Sequence, residues 1–188
     1  MSDFPPHPTD LLHHLLRDRI SHGDTVIDAT AGNGHDTLFL AGAVGETGRV
    51  IAIDIQEQAI TSTRSRLDAA GLTARATLHH ASHTQIREIA SGTTPTVILF
   101  NLGYLPGADR SITTCTADSL SAIATSVKIL PPRGILAITC YTGHASGEDE
   151  STAVTEFITA HNDLRNARYG LIGTRNPAPF LLLCEKRP

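Results

Sequence analysis

Short apolar runs alternate along the chain with longer stretches in which apolar residues recur every three or four positions. The runs lie at residues 25–28, 49–54, 73–79, 96–100 and 135–141, and near-continuous apolar character of this kind suits parallel strands buried on both faces. Helical spacing fills the intervals: from Thr37 to Gly45 or Gly48, over 57–70 with Gly71 as the stop, over 81–90 before Ser91-Gly92, over 113–130 before Pro131-Pro132, and over 148–160. Ahead of the first strand, Leu11, Leu12, Leu15, Leu16 and Ile20 predict an amphipathic helix capped by Thr9 or Asp10. His13 and His14 on that helix are adjacent, point in different directions and read as surface or boundary residues. Residues 1–8 hold three prolines and predict an irregular arm. Runs at 165–172 and 180–185 have no helix between them and predict antiparallel neighbours.

The alternation predicts an α/β domain spanning residues 1–188: a mostly parallel seven-stranded sheet, helices on both faces and an antiparallel C-terminal strand. Composition agrees, with 40% hydrophobic and 18% charged residues. A net charge of −4 argues against a broadly basic surface that coats nucleic acid, and 4% aromatic content without Trp leaves few stacking platforms. Cys115, Cys140 and Cys184 stand far apart, so neither a disulfide framework nor a zinc site is expected, and no metal is predicted. With no leader-like segment and no apolar run long enough to cross a bilayer, a cytoplasmic protein is expected.

The chemistry centres on residues 26–37, where a strand ends in Asp28, a turn carries Gly32 and Gly34, and Thr37 opens a helix. In open α/β sheets ligands sit at the carboxyl ends of strands, and Asp28, Asp54, Asn101 and Tyr141 all fall there, so they should share one rim. Asp54 follows Gly34 by twenty residues, where an acid accepts the ribose hydroxyls of a nucleoside. The turn reads Gly32-x-Gly34-x-x-Thr37 and lacks the third glycine of the dinucleotide fingerprint. Asp28 and Asp36 would repel a pyrophosphate but suit an ammonium or sulfonium group, which favours S-adenosylmethionine over a nicotinamide cofactor. A nicotinamide-dependent oxidoreductase and a non-catalytic nucleotide-binding module are the competing classes.

The order Asp28-Ala-Thr-Ala-Gly-Asn-Gly-His-Asp-Thr37, Asp54-Ile-Gln56, Asn101-Leu-Gly-Tyr-Leu-Pro-Gly-Ala-Asp109, Tyr141-Thr-Gly-His144 and Asn176-Pro-Ala-Pro-Phe180 resembles the YtqB/MnmM family. These are Rossmann-like class I S-adenosylmethionine-dependent methyltransferases, long labelled rRNA methylases, that act on 5-aminomethyl-2-thiouridine at the tRNA wobble position. The resemblance implies that Gly32, Asn33 and Gly34 cradle the methionine part of the cofactor with Asp28 and Asp36 nearby. It further implies that Asp54 holds the ribose hydroxyls and that Gln56 flanks the adenine, and His83 matches the family's third-strand motif. The acid common two residues before that histidine is Ala81 here, which puts one adenine contact in doubt. It implies tRNA, through its anticodon stem-loop, as partner, with a homodimer as a possible assembly. An rRNA base or a small-molecule amine is the alternative acceptor.

Asn101-Leu102-Gly103-Tyr104 looks like a variant of the Asn-Pro-Pro-Tyr loop of exocyclic-amine methyltransferases. The Asn101 carboxamide oxygen and the Leu102 carbonyl would accept the amine's hydrogens, and Tyr104 would pack on the base. Asn101 therefore counts on both the catalytic and the cofactor side. An alkylamine with a pKa of roughly 10 must lose a proton before it attacks, and Asp109 and His144 are candidate acceptors. Arg110 and Arg175 sit on loops flanking the rim and are the candidate phosphate contacts.

Overall fold

In the computed structural model the described residues are 4–107, 109, 113–143, 146–175 and 177–188. Helix α1 (Pro8–Arg17) precedes β1 (Thr25–Asp28), α2 (His35–Ala43), β2 (Arg49–Asp54) and α3 (Glu57–Ala69). Then come β3 (Ala76–His80), α4 (Ile86–Ile89), β4 (Val97–Leu102), α5 (Thr116–Ile129), β5 (Ile135–Cys140), α6 (Gly147–Ala160), β6 (Leu164–Gly170) and β7 (Phe180–Lys186). The strands form one sheet in the order β3-β2-β1-β4-β5-β7-β6. Pairing is parallel through β5, while β7 runs antiparallel to both β5 and β6. The mostly parallel seven-stranded sheet is therefore as expected.

Alternation along the strands decides which side each residue faces. Val26, Val50, Val97 and Leu99 pack with Leu12, Leu16, Leu40 and Leu67, which places α1, α2 and α3 on one face. Ile27, Ile51, Ile98, Phe100 and Leu102 pack with Ile86, Ile123 and Val154, which places α4, α5 and α6 on the other. Every residue of β5 is buried, as a strand covered on both faces requires. Asn101 shares parity with Val97 and Leu99, so at the strand end it turns toward the side of α1 and α2.

Several boundaries differ from the sequence pattern. His7, not Thr9 or Asp10, is the N-cap of α1, and Pro8 occupies the first turn, where its fixed φ favours helix entry. Residues 73–75 form a 3-10 turn, so β3 begins at Ala76. The helix expected over 81–90 divides into a 3-10 turn, His83–Gln85, capped by Ser82, and the single turn of α4. β4 continues to Leu102 because Asn101 and Leu102 pair with Thr139 and Cys140.

The chain reverses its direction of travel across the sheet between β1 and β4, which opens a crevice at their carboxyl ends. Gly34 is the N-cap of α2 with φ +79°, and a Cβ there would lie 2.7 Å from the Thr63 Cα of α3. That glycine serves helix packing, because neither its backbone angle nor its neighbour tolerates a side chain. Gly34→Ala should lower stability by at least about 1–2 kcal/mol from the left-handed conformation alone. Gly42, inside α2 with open space around it, should be neutral or gain roughly 0.5–1 kcal/mol as Gly42→Ala. Chemical denaturation of both variants checks the contrast, and equal effects would contradict it.

Candidate active site

A cavity of about 560 Å³ lies over the β1–β4 crevice, within the range of small-molecule sites. The glycine turn, the end of β2, the loop after β4 and the His13 side of α1 wall it.

The turn is held by its surroundings before any ligand arrives. Asp54 accepts from Gly32 N through Oδ2 at 2.9 Å and from Gln56 N through Oδ1 at 2.9 Å. Each carboxylate oxygen keeps a lone pair for a further donor, so the acid is oriented without being used up. From α3, Thr63 Oγ1 donates to Gly32 O at 3.2 Å and Arg66 Nε donates to Asn33 O at 2.8 Å. Arg66 Nη2 also lies 3.2 Å from His35 Nε2, which ties His35 to α3. Asn33 Nδ2 donates to Pro106 O at 3.2 Å and so links the turn to the loop after β4. Arg66 and Thr63 carried no motif in the sequence, and only the docking of α3 brings them to the turn.

The two acids of the turn differ in kind. Asp28 is fully buried beneath the turn and outside the cavity wall, accepting from Thr37 Oγ1 at 2.6 Å and from Thr30 N at 3.3 Å. Burial, reinforced by the charge of Asp36, pushes its carboxyl up to about 7. Asp36 lines the cavity. Burial works to raise its carboxyl too, but hydrogen bonds from His13 and Asn101 outweigh it and hold the group below the usual range. Burial and hydrogen bonding thus push the two carboxyls in opposite directions, Asp28 up and Asp36 down, where the sequence suggested two equivalent acids. Asp28, expected among the cofactor residues, lies beneath the turn and supports it from inside through Thr37 and Thr30.

His13 is the residue that the sequence pattern missed. Its Nε2 lies 2.6 Å from Asp36 Oδ1, and its ring stacks on Phe39 with centroids 4.0 Å apart and planes at 7°. It lines the cavity from a boundary position that stays 24% exposed, because α1 packs across β5 and β7. No local pattern carries that information.

Asn101 N donates to Thr30 Oγ1 at 2.6 Å, and Asn101 Nδ2 donates to Asp36 Oδ2 at 2.7 Å. Leu102 does not offer its carbonyl to the cavity: Tyr141 N donates to Leu102 O at 3.0 Å, an extension of the strand ladder. Tyr104 lines the cavity and bridges to Thr113, while Thr114 N donates to Gly103 O at 2.9 Å. Gly103 is held against Tyr141, with space for a Cβ only 3.1 Å from the Tyr141 Cβ. Glu150 of α6, 1% exposed, accepts from Thr114 Oγ1 at 2.6 Å and from Ser119 Oγ at 2.7 Å, which anchors the returning end of the loop.

Of the expected site residues, Gly32, Asn33, Asp36, Asp54, Gln56, His83, Asn101 and Tyr104 meet at the cavity. Asp28 and Gly34 stand behind the wall, and Asp109 is exposed outside it. Arg175 is exposed; His144, Arg110 and Asn176 lie outside the described residues. His83 Nε2 is buried with no hydrogen-bond partner among the described residues, and its ring sits edge-on to Phe100 at 5.9 Å. Burial lowers its pKa, so the ring is neutral at pH 7 and keeps an unmet polar atom in the cavity wall.

Residues 50–185 match the family described as "Putative rRNA methylase", and residues 5–87 match the description "Protein-L-isoaspartate(D-aspartate) O-methyltransferase (PCMT)". A protein of Arabidopsis thaliana named tRNA (mnm(5)s(2)U34)-methyltransferase, chloroplastic, is 40% identical over 158 residues, which cover 79% of this chain and 58% of that one. This chain therefore spans little more than half the length of the plant relative. A solved rRNA-methylase structure from Clostridium thermocellum is 35% identical, covers 96% of this chain and 97% of its own, and superposes with a TM-score of 0.92. A methyltransferase from Streptococcus mutans, solved in complex with SAH, is 32% identical over 96% of this chain and 98% of its own, with a TM-score of 0.86.

The raised carboxyl of Asp28 makes stability depend on pH. The folded chain holds a proton that the unfolded chain releases above the ordinary aspartate value of 3.8, so this contribution is full below about pH 4 and is lost as pH rises through about 7. The slope is about 1.4 kcal/mol per unit where the two states differ by one proton. Asp28→Asn cannot ionise, so its stability relative to the parent should rise between pH 5 and pH 8. Urea denaturation at both values tests this, and an offset independent of pH would disprove the assignment.

Proposed function

The chain belongs to the family described as "Putative rRNA methylase", and on that premise we propose that it is an S-adenosylmethionine-dependent methyltransferase acting on the 5-aminomethyl group of 5-aminomethyl-2-thiouridine at the tRNA wobble position. The observation that carries this reading is the meeting, in one cavity, of an oriented acid at the end of β2 and an Asn101 carboxamide at the end of β4. The name of the plant relative supports the acceptor, and the SAH bound to the Streptococcus mutans protein supports the cofactor. A tRNA acceptor implies work in a compartment that holds tRNA, and the cytoplasm is the one proposed. Among the described residues no helix is long and apolar enough to cross a membrane.

The residues present fit the cofactor. Asp54 retains acceptor capacity for two ribose hydroxyls, and the unmet His83 Nε2 lies in the same wall, where an adenine would meet it. Asn33 and Gly32 bring backbone to the cavity with little side-chain obstruction. When bound, the cofactor supplies an electrophilic sulfonium methyl group.

The chain's own contribution is positioning. The amine attacks along the line of the bond to be broken, so its lone pair must face the methyl group and its hydrogens must be held aside. Asn101 Oδ1 would accept one hydrogen at the rim, and Tyr104, which lines the same cavity, would pack on the base. Partial desolvation in the cavity favours the neutral amine, which helps a group with an aqueous pKa of roughly 10 to lose its proton.

Incubation with labelled cofactor and tRNA carrying the aminomethyl-thiouridine, followed by nucleoside analysis, should yield the methylaminomethyl nucleoside. Asn101→Ala should lower kcat by roughly 100-fold, comparable to loss of one oriented hydrogen-bonding group in an active site. Asp54→Ala should weaken S-adenosylhomocysteine binding at least tenfold in calorimetry, about 1.4 kcal/mol. Labelling of rRNA but not of this tRNA would replace the acceptor, and binding of NAD without S-adenosylhomocysteine would overturn the class.

A further inference from the structure

Asp36 joins two side chains from distant parts of the chain. His13 Nε2 lies 2.6 Å from its Oδ1, and Asn101 Nδ2 lies 2.7 Å from its Oδ2. An ionised carboxylate can only accept hydrogen bonds. Both partners must therefore donate, which settles two choices that heavy-atom positions alone leave open. His13 carries a proton on Nε2. The Asn101 carboxamide has its NH₂ toward Asp36, and so its oxygen lies on the opposite branch of the amide.

We propose that His13 and Asp36 are positioning residues of the transfer site: they lock the Asn101 carboxamide so that the cavity presents a hydrogen-bond acceptor, selecting an acceptor nitrogen that still carries hydrogen. This rests on the methyl-transfer reading above.

The selection follows from donor and acceptor counts. A neutral primary amine has two hydrogens and one lone pair, and the lone pair is needed for attack. An acceptor beside it takes a hydrogen and leaves the lone pair free. A reversed amide would offer NH₂, which would bind the lone pair and block the reaction. Reversal would also turn the amide oxygen against the Asp36 carboxylate, replacing a charge-assisted hydrogen bond with repulsion between two acceptors. A hydroxyl oxygen has lone pairs to spare and would tolerate either orientation, so the lock is required by an amine and not by a hydroxyl.

His13 makes the lock rigid. Its ring is clamped against Phe39, and its side chain comes from α1, which is fastened to the sheet by the buried Leu12 and Leu16. Its hydrogen bond occupies the Asp36 oxygen that would otherwise be free to swing toward the cavity. Asn101 is fixed at its other end by the Thr30 hydroxyl, so both its backbone and its side chain are constrained.

Three variants separate this role from simple packing. His13→Phe keeps a ring on Phe39 but removes the donor. His13→Gln restores an amide donor without the ring. Asp36→Asn keeps the shape but no longer dictates which way Asn101 turns. On the aminomethyl tRNA, Asp36→Asn should lower kcat at least tenfold and His13→Phe three- to tenfold. KM and the S-adenosylhomocysteine Kd should stay within threefold, and His13→Gln should recover most of the His13→Phe loss. In ¹H–¹⁵N spectra of the parent, one proton of the Asn101 side-chain NH₂ should be shifted downfield, and it should move in both Asp36→Asn and His13→Phe. The imidazole ¹⁵N shifts should report a proton on Nε2 of His13.

Full activity of His13→Phe with unmoved Asn101 signals would overturn the proposal. So would a loss of S-adenosylhomocysteine affinity equal to the loss of kcat, which would make Asp36 a cofactor contact instead. Parent protein that fails to methylate this tRNA sinks the acceptor reading alone, since the amide and imidazole signals still decide the orientation.

Discussion

Two carboxyl groups at the mouth of a buried sheet compete for charge, and much of this site is arranged around how that conflict is resolved. Asp28 lies wholly inside, met among the described residues by the Thr37 hydroxyl and the Thr30 amide, and burial pushes its carboxyl up to about 7. Asp36 is eight residues further on, at the start of α2, and it keeps the charge because His13 and Asn101 both donate to it. One acid therefore supports the turn and the other organises the cavity. The same division links three segments: α1 through His13, the glycine turn through Thr30, and β4 through Asn101.

The sheet makes this convergence possible. β1 and β4 are parallel neighbours in register from Val26↔Val97 to Asp28↔Leu99, so the turn after one and the loop after the other leave at the same level. Residue parity then turns Asn101 toward α2 instead of α5. The opposite end of the acceptor loop is tied to Glu150, a buried carboxylate that receives two hydroxyl donors. Such an acid is tolerable only because both donors are present, and it holds α5, α6 and the loop in one arrangement. The cavity is thus bounded by groups whose positions are set by hydrogen bonds outside it, the condition for orienting a nucleophile to a fraction of an ångström.

Most of the architecture was legible in the chain because its signals are local. Buried strands read as unbroken apolar runs, helices as three-to-four spacing, and stops as Gly71 or Pro131-Pro132. Asp54 and Asn101 could be placed on the rim because strand ends are where a parallel sheet exposes side chains to a ligand. The failures came where local propensity met tertiary context. The stretch 81–90 has helical composition but bends into a 3-10 turn that sets the His83 ring edge-on to Phe100. Leu102 looked like a loop residue, but β5 was long enough to pair with it.

The chain's own pattern was sufficient for the sheet, the order of its elements, the glycine turn after β1 and the place of Asn101 at the end of β4, since each depends on residues near one another in sequence. What charge Asp28 carries, why Gly34 must be glycine, and what His13 does were decided only when distant segments packed together. Burial sets a carboxyl's charge, α3 sets the room beside Gly34, and the docking of α1 sets the partner of Asp36. Desolvation, steric exclusion and hydrogen-bond partnership across 23 residues are properties of the folded volume, and no short window of sequence contains them.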